Sequence, residues 1–254
     1  MSNAFRLSGT VALVTGGAGG IGKAICEAMA AEGASVIVGF HRTEKAAQEL
    51  VGILPRHCNA KHSAIKAVVT DSAQLAELAK TVEKNYGQCD TIVNCAGTTR
   101  FVPHDQLDQL DDALFDEILA TNVRGPFAVV RAMRRLLDKS AHGLVVNLSS
   151  IAAVTAMGSN IAYCASKAAL DNMTKSMARA LAPNIRVISV SPGLSDTEFV
   201  KSMDKAWRDE QAIRTPLQRL ADPSEVGLAV VACATHLGFT TGTVISVDGG
   251  RPLS

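Results

Sequence analysis

Tyr163 and Lys167 stand four residues apart in Ser159-Asn160-Ile161-Ala162-Tyr163-Cys164-Ala165-Ser166-Lys167-Ala168-Ala169-Leu170, a strongly helix-forming stretch. On a helix, residues at i and i+4 share a face. A phenol and an ammonium would then project from one ridge, where the cation favours the phenolate and lowers the tyrosine pKa from its ordinary value of about 10. That pair is a candidate general acid/base. The same spacing also describes a solvated helix face, so its meaning depends on what the chain builds around Tyr163, one of only two tyrosines with Tyr86.

A second candidate lies near the start of the chain. Thr10 to Thr15 is a short β-branched run, Gly16-Gly17-Ala18-Gly19-Gly20-Ile21-Gly22 follows, and Lys23 to Ala31 carries a helical pattern. Strand, glycine loop and helix make a phosphate-binding arrangement: N–H groups at a helix N-terminus carry the positive end of the dipole, and glycine lets a pyrophosphate approach them. The run satisfies Gly-x-Gly-x-x-Gly at Gly17, Gly19 and Gly22, and Thr-Gly-x-x-x-Gly-x-Gly at Thr15, Gly16, Gly20 and Gly22. Glycine loops also serve plain turns, and the placement between strand and helix gives this one its weight.

The next strand, Ser35 to Phe40, ends where a dinucleotide fold selects its cofactor. An acid there would accept the ribose hydroxyls of NAD, and an arginine would pair with the 2′-phosphate of NADP. The chain has His41-Arg42-Thr43 and no acid until Glu44, which points to NADP, with NAD the less favoured choice. Arg42 is the expected phosphate partner, assisted by His41 or Thr43; Arg42 could instead be a loop charge and Thr43 the N-cap of the following helix.

Stepping along the chain, helix and strand patterns alternate: a helix from Glu44 to Gly52, a strand Ala64 to Val69, a helix after Asp71-Ser72 to about Tyr86, and a strand Thr91 to Val93 leading into Asn94-Cys95-Ala96-Gly97. Leu107 to about Asp138 reads as mostly helical, with breaks near Asp111 and at Gly125-Pro126 and with Asn122 inside it. A strand Gly143 to Leu148 ends in Ser149-Ser150, the Tyr163 helix runs from Ser159 to Leu181, and a strand Asn184 to Ser191 ends in Pro192-Gly193. Ser195 to Arg219 breaks the alternation and has the composition of a substrate lid or of a surface excursion. Asp222-Pro223-Ser224-Glu225 starts a helix, and Val244 to Val247 is the last strand. This order predicts an α/β, Rossmann-type, doubly wound parallel sheet of about seven strands with helices on both faces, in a single domain over 1–254 with a lid at about 195–219.

Composition removes other classes. Lys and Arg number 25 against 24 Asp and Glu, a net charge of +1, so nothing favours nucleic acid or an anionic membrane surface. Six scattered cysteines and six histidines show no ligand spacing, which predicts no metal site and reduced thiols in a cytoplasmic protein. Two uncharged stretches, Gly143 to Ser166 and Val226 to Val247, are interrupted by polar residues and turns, and Arg6 with its short apolar run does not make a secretory signal.

In an open α/β sheet ligands sit at the carboxyl ends of the strands. Those ends carry the glycine loop, His41-Arg42, Asn94 to Gly97, Ser149-Ser150 and Pro192-Gly193. From Val11 to Gly250 the chain resembles the short-chain dehydrogenase/reductase family, through Thr15-Gly16-x-x-x-Gly20-x-Gly22, Asn94-x-Ala96-Gly97, Asn122, Ser150, Tyr163-x-x-x-Lys167, Pro192-Gly193 and Asp248-Gly249-Gly250 in the family's order and spacing.

The resemblance implies a catalytic set of Ser150, Tyr163, Lys167 and Asn122. Tyr163 would protonate a carbonyl oxygen or take the alcohol proton, and Lys167 would hold the nicotinamide ribose. Ser150 would hydrogen-bond the substrate oxygen, and Asn122 would bind a water linking Lys167 to solvent. The cofactor would meet Thr15, Gly16, Gly20, Ile21, Gly22, His41, Arg42, Thr43, Val69, Asn94, Ala96, Gly97, Tyr163, Lys167, Pro192, Gly193, Ser195 and Thr197. Thr197 could equally be an N-cap. Val68 and Val69 stand where the family often has Asp or Asn facing the adenine, so recognition there would rest on backbone and apolar contact. Cys95 replaces a commoner asparagine, and Cys164 beside Tyr163 would be a packed small residue.

The activity so implied is an NADP(H)-dependent oxidoreductase interconverting a ketone and a secondary alcohol, similar to 3-oxoacyl-(acyl-carrier-protein) reductases. An NAD(H)-dependent sugar or polyol dehydrogenase is the alternative. A non-catalytic dinucleotide-binding regulator would not need the tyrosine and lysine together. The resemblance also implies a homotetramer built through the helices around Asp112 to Asp138 and Ser159 to Leu181.

Overall fold

Val11–Thr15 (β1), Ser35–Phe40 (β2), Ser63–Lys66 (β3), Thr91–Asn94 (β4), Gly143–Leu148 (β5), Ile185–Pro192 (β6) and Val244–Val247 (β7) pair in parallel in the order β3-β2-β1-β4-β5-β6-β7. The protein was analysed as a computed structural model, which describes residues 6–253, Phe199 by its backbone alone; Ser2-Asn3-Ala4 lie outside them. β1, β4 and β5 are buried along their whole length, as expected of central strands covered on both faces, whose sequences are near-continuous apolar runs.

The two-residue side-chain period divides the core. Ala12 and Val14 face one layer, under Gly20–Ala31 (α1), Glu44–Ile53 (α2) and Pro223–Thr235 (α10), through Ile25, Met29, Leu50, Val226 and Val230. Val11 and Leu13 face the other, under Ser72–Tyr86 (α3), Gly125–Leu137 (α5) and Ile161–Leu181 (α7), through Leu75, Val82, Val129, Met133 and Met177. The predicted doubly wound parallel sheet is therefore the fold.

Three boundaries differ from the sequence reading. β3 stops at Lys66 and not at Val69, because its partner β2 ends at Phe40; after Ala67 N–H bonds the Phe40 carbonyl at 2.7 Å the chain turns away. Val69 is instead buried under Gly125, where a Cβ would lie 2.9 Å from the Val69 Cγ2. The break expected at Gly125-Pro126 is absent. Asp112–Leu119 (α4), capped by Asp111, passes through a π-helical turn at Ala120–Arg124 straight into α5, with Pro126 in the first turn, where proline's missing N–H is tolerated. The helix predicted from Lys23 opens earlier, at Gly20, inside the glycine run.

Between β6 and α10 lie Glu198–Lys201 (α8) and Lys205–Ile213 (α9), the latter with no buried residue. This excursion leaves and returns through one neck, where Ser195 bridges Ala221 and Asp196 N–H donates to the Ala221 carbonyl at 2.8 Å. No helix among the described residues is long and apolar enough to cross a membrane.

Candidate active site

β1 and β4, neighbours in the sheet, send their connections to opposite faces, which opens a cleft at their carboxyl ends. At that edge Thr15 is buried, and its hydroxyl is committed to the protein: Oγ1 accepts the N–H groups of Cys95 and Ala96, each at 3.2 Å. Gly16 adopts φ +65°, and a Cβ on it would lie 2.9 Å from the Ala96 Cα. A Cβ on Gly22 would lie 2.2 Å from the Gly16 carbonyl oxygen. These residues fold the loop between β1 and α1 tightly back on itself and against the end of β4. Thr197 covers the loop from the other side, its Cγ2 only 2.7 Å from where a Cβ on Gly20 would be.

Helix starts separate this edge from the rest of the molecule. α3, α4, α7, α8, α9 and α10 begin with side-chain caps from Asp71, Asp111, Asn160, Thr197, Asp204 and Asp222. α1 and α2, which start from loops at Gly19 and Thr43, have none. Of the other helices without a cap from their own N-cap residue, α5 continues the π-helical turn and Ala152–Thr155 (α6) has its first N–H taken by Ser150 Oγ. An uncapped helix start leaves N–H groups for an outside acceptor. The two uncapped starts lie where the sequence placed the pyrophosphate and the 2′-phosphate, so the residues present fit a phosphorylated dinucleotide. His41 and Arg42 are exposed at the second, and Arg42 makes no ion pair among the described residues. Of the two alternatives for Thr43 and Thr197, the structure has Thr197 capping α8 through Val200 N–H at 3.3 Å and Thr43 at a cap position without a capping bond.

Asn94 braces the floor of the cleft. Its Nδ2 donates to Asn147 Oδ1 at 2.8 Å, Asn147 Nδ2 donates to Thr174 Oγ1 at 2.8 Å, and Thr174 and Ser189 share a hydroxyl bond of 2.9 Å. The buried Asn94 Oδ1 has no partner among the described residues. At the end of β6, Pro192 is buried, and Gly193 lies so close to Asp248 that a Cβ would be 3.0 Å from the Asp248 Cα.

On the other side of the cleft, α7 brings Tyr163 and Lys167 together as the spacing predicted. Lys167 is only 7% exposed, and its ammonium lies 5.6 Å from the centre of the Tyr163 ring and donates to the Leu148 carbonyl at the end of β5, at 2.7 Å. Tyr163 makes no side-chain hydrogen bond among the described residues. Tyr86, by contrast, shares a 2.7 Å bond with Ser63, and burial raises its pKa. Ser150 Oγ accepts the Ala152 N–H at 3.2 Å, which leaves its own proton to donate elsewhere.

Asn122 is buried in the π-helical turn, and its amide group is occupied. Oδ1 accepts Thr98 N–H at 2.9 Å, while Nδ2 donates to the Thr98 carbonyl at 3.0 Å and to Ser166 Oγ at 3.1 Å. Pro126, four residues on, has no N–H to give the Asn122 carbonyl. A relay water expected on this residue would therefore not find its side-chain amide free.

Burial pushes the Cys95 thiol up to about 11, against the opposing pull of Lys167, and raises that of Cys164, so both remain protonated near neutral pH. Among the described residues no group of three His, Cys, Asp or Glu could hold a metal ion. The sequence reading passed over Gly158, Asn160 and Ser166, all in contact with Tyr163. Asn160 carried a usable signal, an N-cap residue directly before the helix.

A family model described as enoyl-(acyl carrier protein) reductase matches residues 16–251. The chain is 35% identical to the 3-oxoacyl-(acyl-carrier-protein) reductase FabG of Thermotoga maritima, over 96% of this chain and 98% of that one. It is 31% identical to a 3alpha-hydroxysteroid dehydrogenase of Mediterraneibacter gnavus, over 96% and 97%. A solved double mutant of a Serratia marcescens short-chain dehydrogenase/reductase superposes with a TM-score of 0.88 at 31% identity, covering 97% of this chain and 99% of that one.

Proposed function

The chain belongs to the short-chain dehydrogenase/reductase family of oxidoreductases, and from that premise we propose that it is an NADP(H)-dependent enzyme interconverting a ketone and a secondary alcohol. The observation that carries the reading is a phenol without a hydrogen-bond partner of its own, set beside a buried ammonium and on the same edge as two uncapped helix starts.

A bound nicotinamide would supply the hydride or take it up. The N-terminus of α1, with Gly20, Ile21 and Gly22, would hold the pyrophosphate, and Arg42 with the start of α2 the 2′-phosphate. Val69 and Ala96 would flank the adenosine half, and Pro192 to Ser195 the nicotinamide half. At the substrate, Ser150 donates its free proton to the carbonyl oxygen, and Tyr163 donates or accepts the proton that the oxygen gains or loses. Lys167, held to Leu148, sets its ammonium beside the phenol, where a cation favours the phenolate left when the proton has gone. Proton return then runs from Lys167 by a water on the Asn122 carbonyl.

The excursion 195–219 is the lid. Its neck at Ser195 and Ala221 and the absence of buried residues on α9 suit a segment that closes over substrate. The same reading keeps the enzyme a cytoplasmic homotetramer. NADPH oxidation is to be followed spectrophotometrically with a 3-oxo ester, a cyclic ketone and a ketose in turn. Turnover of at least one, faster with NADPH than with NADH, is expected; no turnover of any would reject the function.

A further inference from the structure

Tyr163 is the third residue of α7, in the first turn, where a helix does least to fix its own residues. Lys167 lies one turn further in and is anchored to β5. The relation between phenol and ammonium therefore depends on what holds the start of the helix.

That start is held by a closed circuit of hydrogen bonds. Tyr163 N–H donates to Asn160 Oδ1 at 2.7 Å, and Asn160 Nδ2 donates to the Arg100 carbonyl at 2.7 Å and to Thr99 Oγ1 at 3.2 Å. Two residues back along that loop, Thr98 is gripped through both its N–H and its carbonyl by Asn122, which also donates to Ser166 Oγ. Ser166 Oγ donates in turn to the Tyr163 carbonyl at 2.7 Å, and the circuit closes on the residue from which it began. Further bonds reinforce the loop: Val102 N–H to the Ser159 carbonyl at 2.8 Å, and His104 Nε2 with the Gly158 carbonyl at 3.2 Å. Gly158 itself lies against the tyrosine ring, with Cδ1 3.0 Å from where its Cβ would be.

We propose that Asn160 is a positioning residue for the reaction, fastening the loop 98–100 to the helix start and so fixing Tyr163 against Ser150 and Lys167. A helix cap alone needs only an acceptor for the Tyr163 N–H, and serine or aspartate supplies one as well as asparagine does. The two donor bonds from Asn160 Nδ2 do something a cap does not: they tie Tyr163 to residues about 60 positions away, themselves tied to Asn122. The inference rests on the reading of Tyr163 as the proton donor, but the spectroscopic arm of its test needs no substrate.

With two tyrosines in the chain, protein labelled with carbon-13 at the tyrosine Cζ gives one signal for Tyr163 and one for Tyr86, the internal control. Asn160→Ser keeps a neutral cap and replaces the two donors of Nδ2 with one hydroxyl on a shorter side chain; Asn160→Ala removes cap and donors together. The expected result is that Asn160→Ser moves the Tyr163 signal while the Tyr86 signal stays. In the same variant kcat for ethyl 3-oxobutanoate falls roughly 10- to 100-fold, with the KM for NADPH within about twofold of wild type. A Tyr163 signal unmoved in Asn160→Ser, whatever its rate and whatever Asn160→Ala does, would overturn the proposal. So would a moved signal with an unchanged kcat. If the wild-type protein reduces no carbonyl probe while the signal still moves, the reductase reading fails and the positioning role stands.

Discussion

α1 and α2 begin without a side-chain cap, whereas α7 begins with one that also fastens a neighbouring loop. The first two starts lie on the side of the cleft proposed for the dinucleotide and leave backbone N–H groups for a ligand to complete; the third carries Tyr163, whose own N–H is taken by its cap. The difference follows from what each side does. A phosphate can be bound by whatever donors a bare helix end presents, and its own charge organises them. A proton donor must stand within hydrogen-bond reach of one oxygen before the substrate arrives, so its position has to be set by the protein.

The comparison can be tested on each side. On the dinucleotide side, Arg42→Ala should weaken NADPH binding roughly 10- to 100-fold, the size of a lost charge-assisted contact, while NADH binding changes by less than about twofold. Titration calorimetry with both dinucleotides measures it, and equal losses would remove Arg42 from the 2′-phosphate.

A smaller effect comes from His62, which supports the start of β2, the strand that leads to Arg42. Its Nδ1 accepts the Val36 N–H at 3.1 Å and its Nε2 donates to the Pro55 carbonyl at 2.9 Å, so the ring is neutral in the fold. Burial lowers its pKa from 6.5, the Pro55 carbonyl bond pulls the other way, and Arg56 adds to the lowering. The folded state thus binds fewer protons than the unfolded one. The stability His62 contributes is complete above 6.5 and is lost as the pH falls through the lower, folded value. The circuit that holds Tyr163 is made of amides, hydroxyls and backbone groups. Acidification from about pH 8 to about pH 5 should therefore lower the melting temperature of the wild type more than that of His62→Gln. Parallel declines would show that His62 is not the sensitive point.

Much of the sheet edge proposed for the dinucleotide was legible in the sequence because its signals are local. Central strands of a parallel sheet are continuous apolar runs, the glycines sit within a few residues of one another, and Arg42 stands two residues beyond its strand. Val69 misled because its apolar character reflects packing under Gly125 and not pairing in the sheet. On the catalytic side the spacing of Tyr163 and Lys167 was equally local and correctly predicted a shared face. What surrounds them was not legible: Asn122 looks like a poor helix former until its amide is found clasping Thr98, and Asn160 looks like an ordinary cap until Arg100 is found beneath it. Pairings across 24 and 60 positions leave no trace in a periodic pattern.

The most direct test of the division between binding and chemistry is Tyr163→Phe, assayed for both NADPH affinity and carbonyl turnover. The account predicts turnover lower by roughly 100- to 10,000-fold with NADPH affinity within about twofold of wild type. Turnover at the wild-type rate would contradict it.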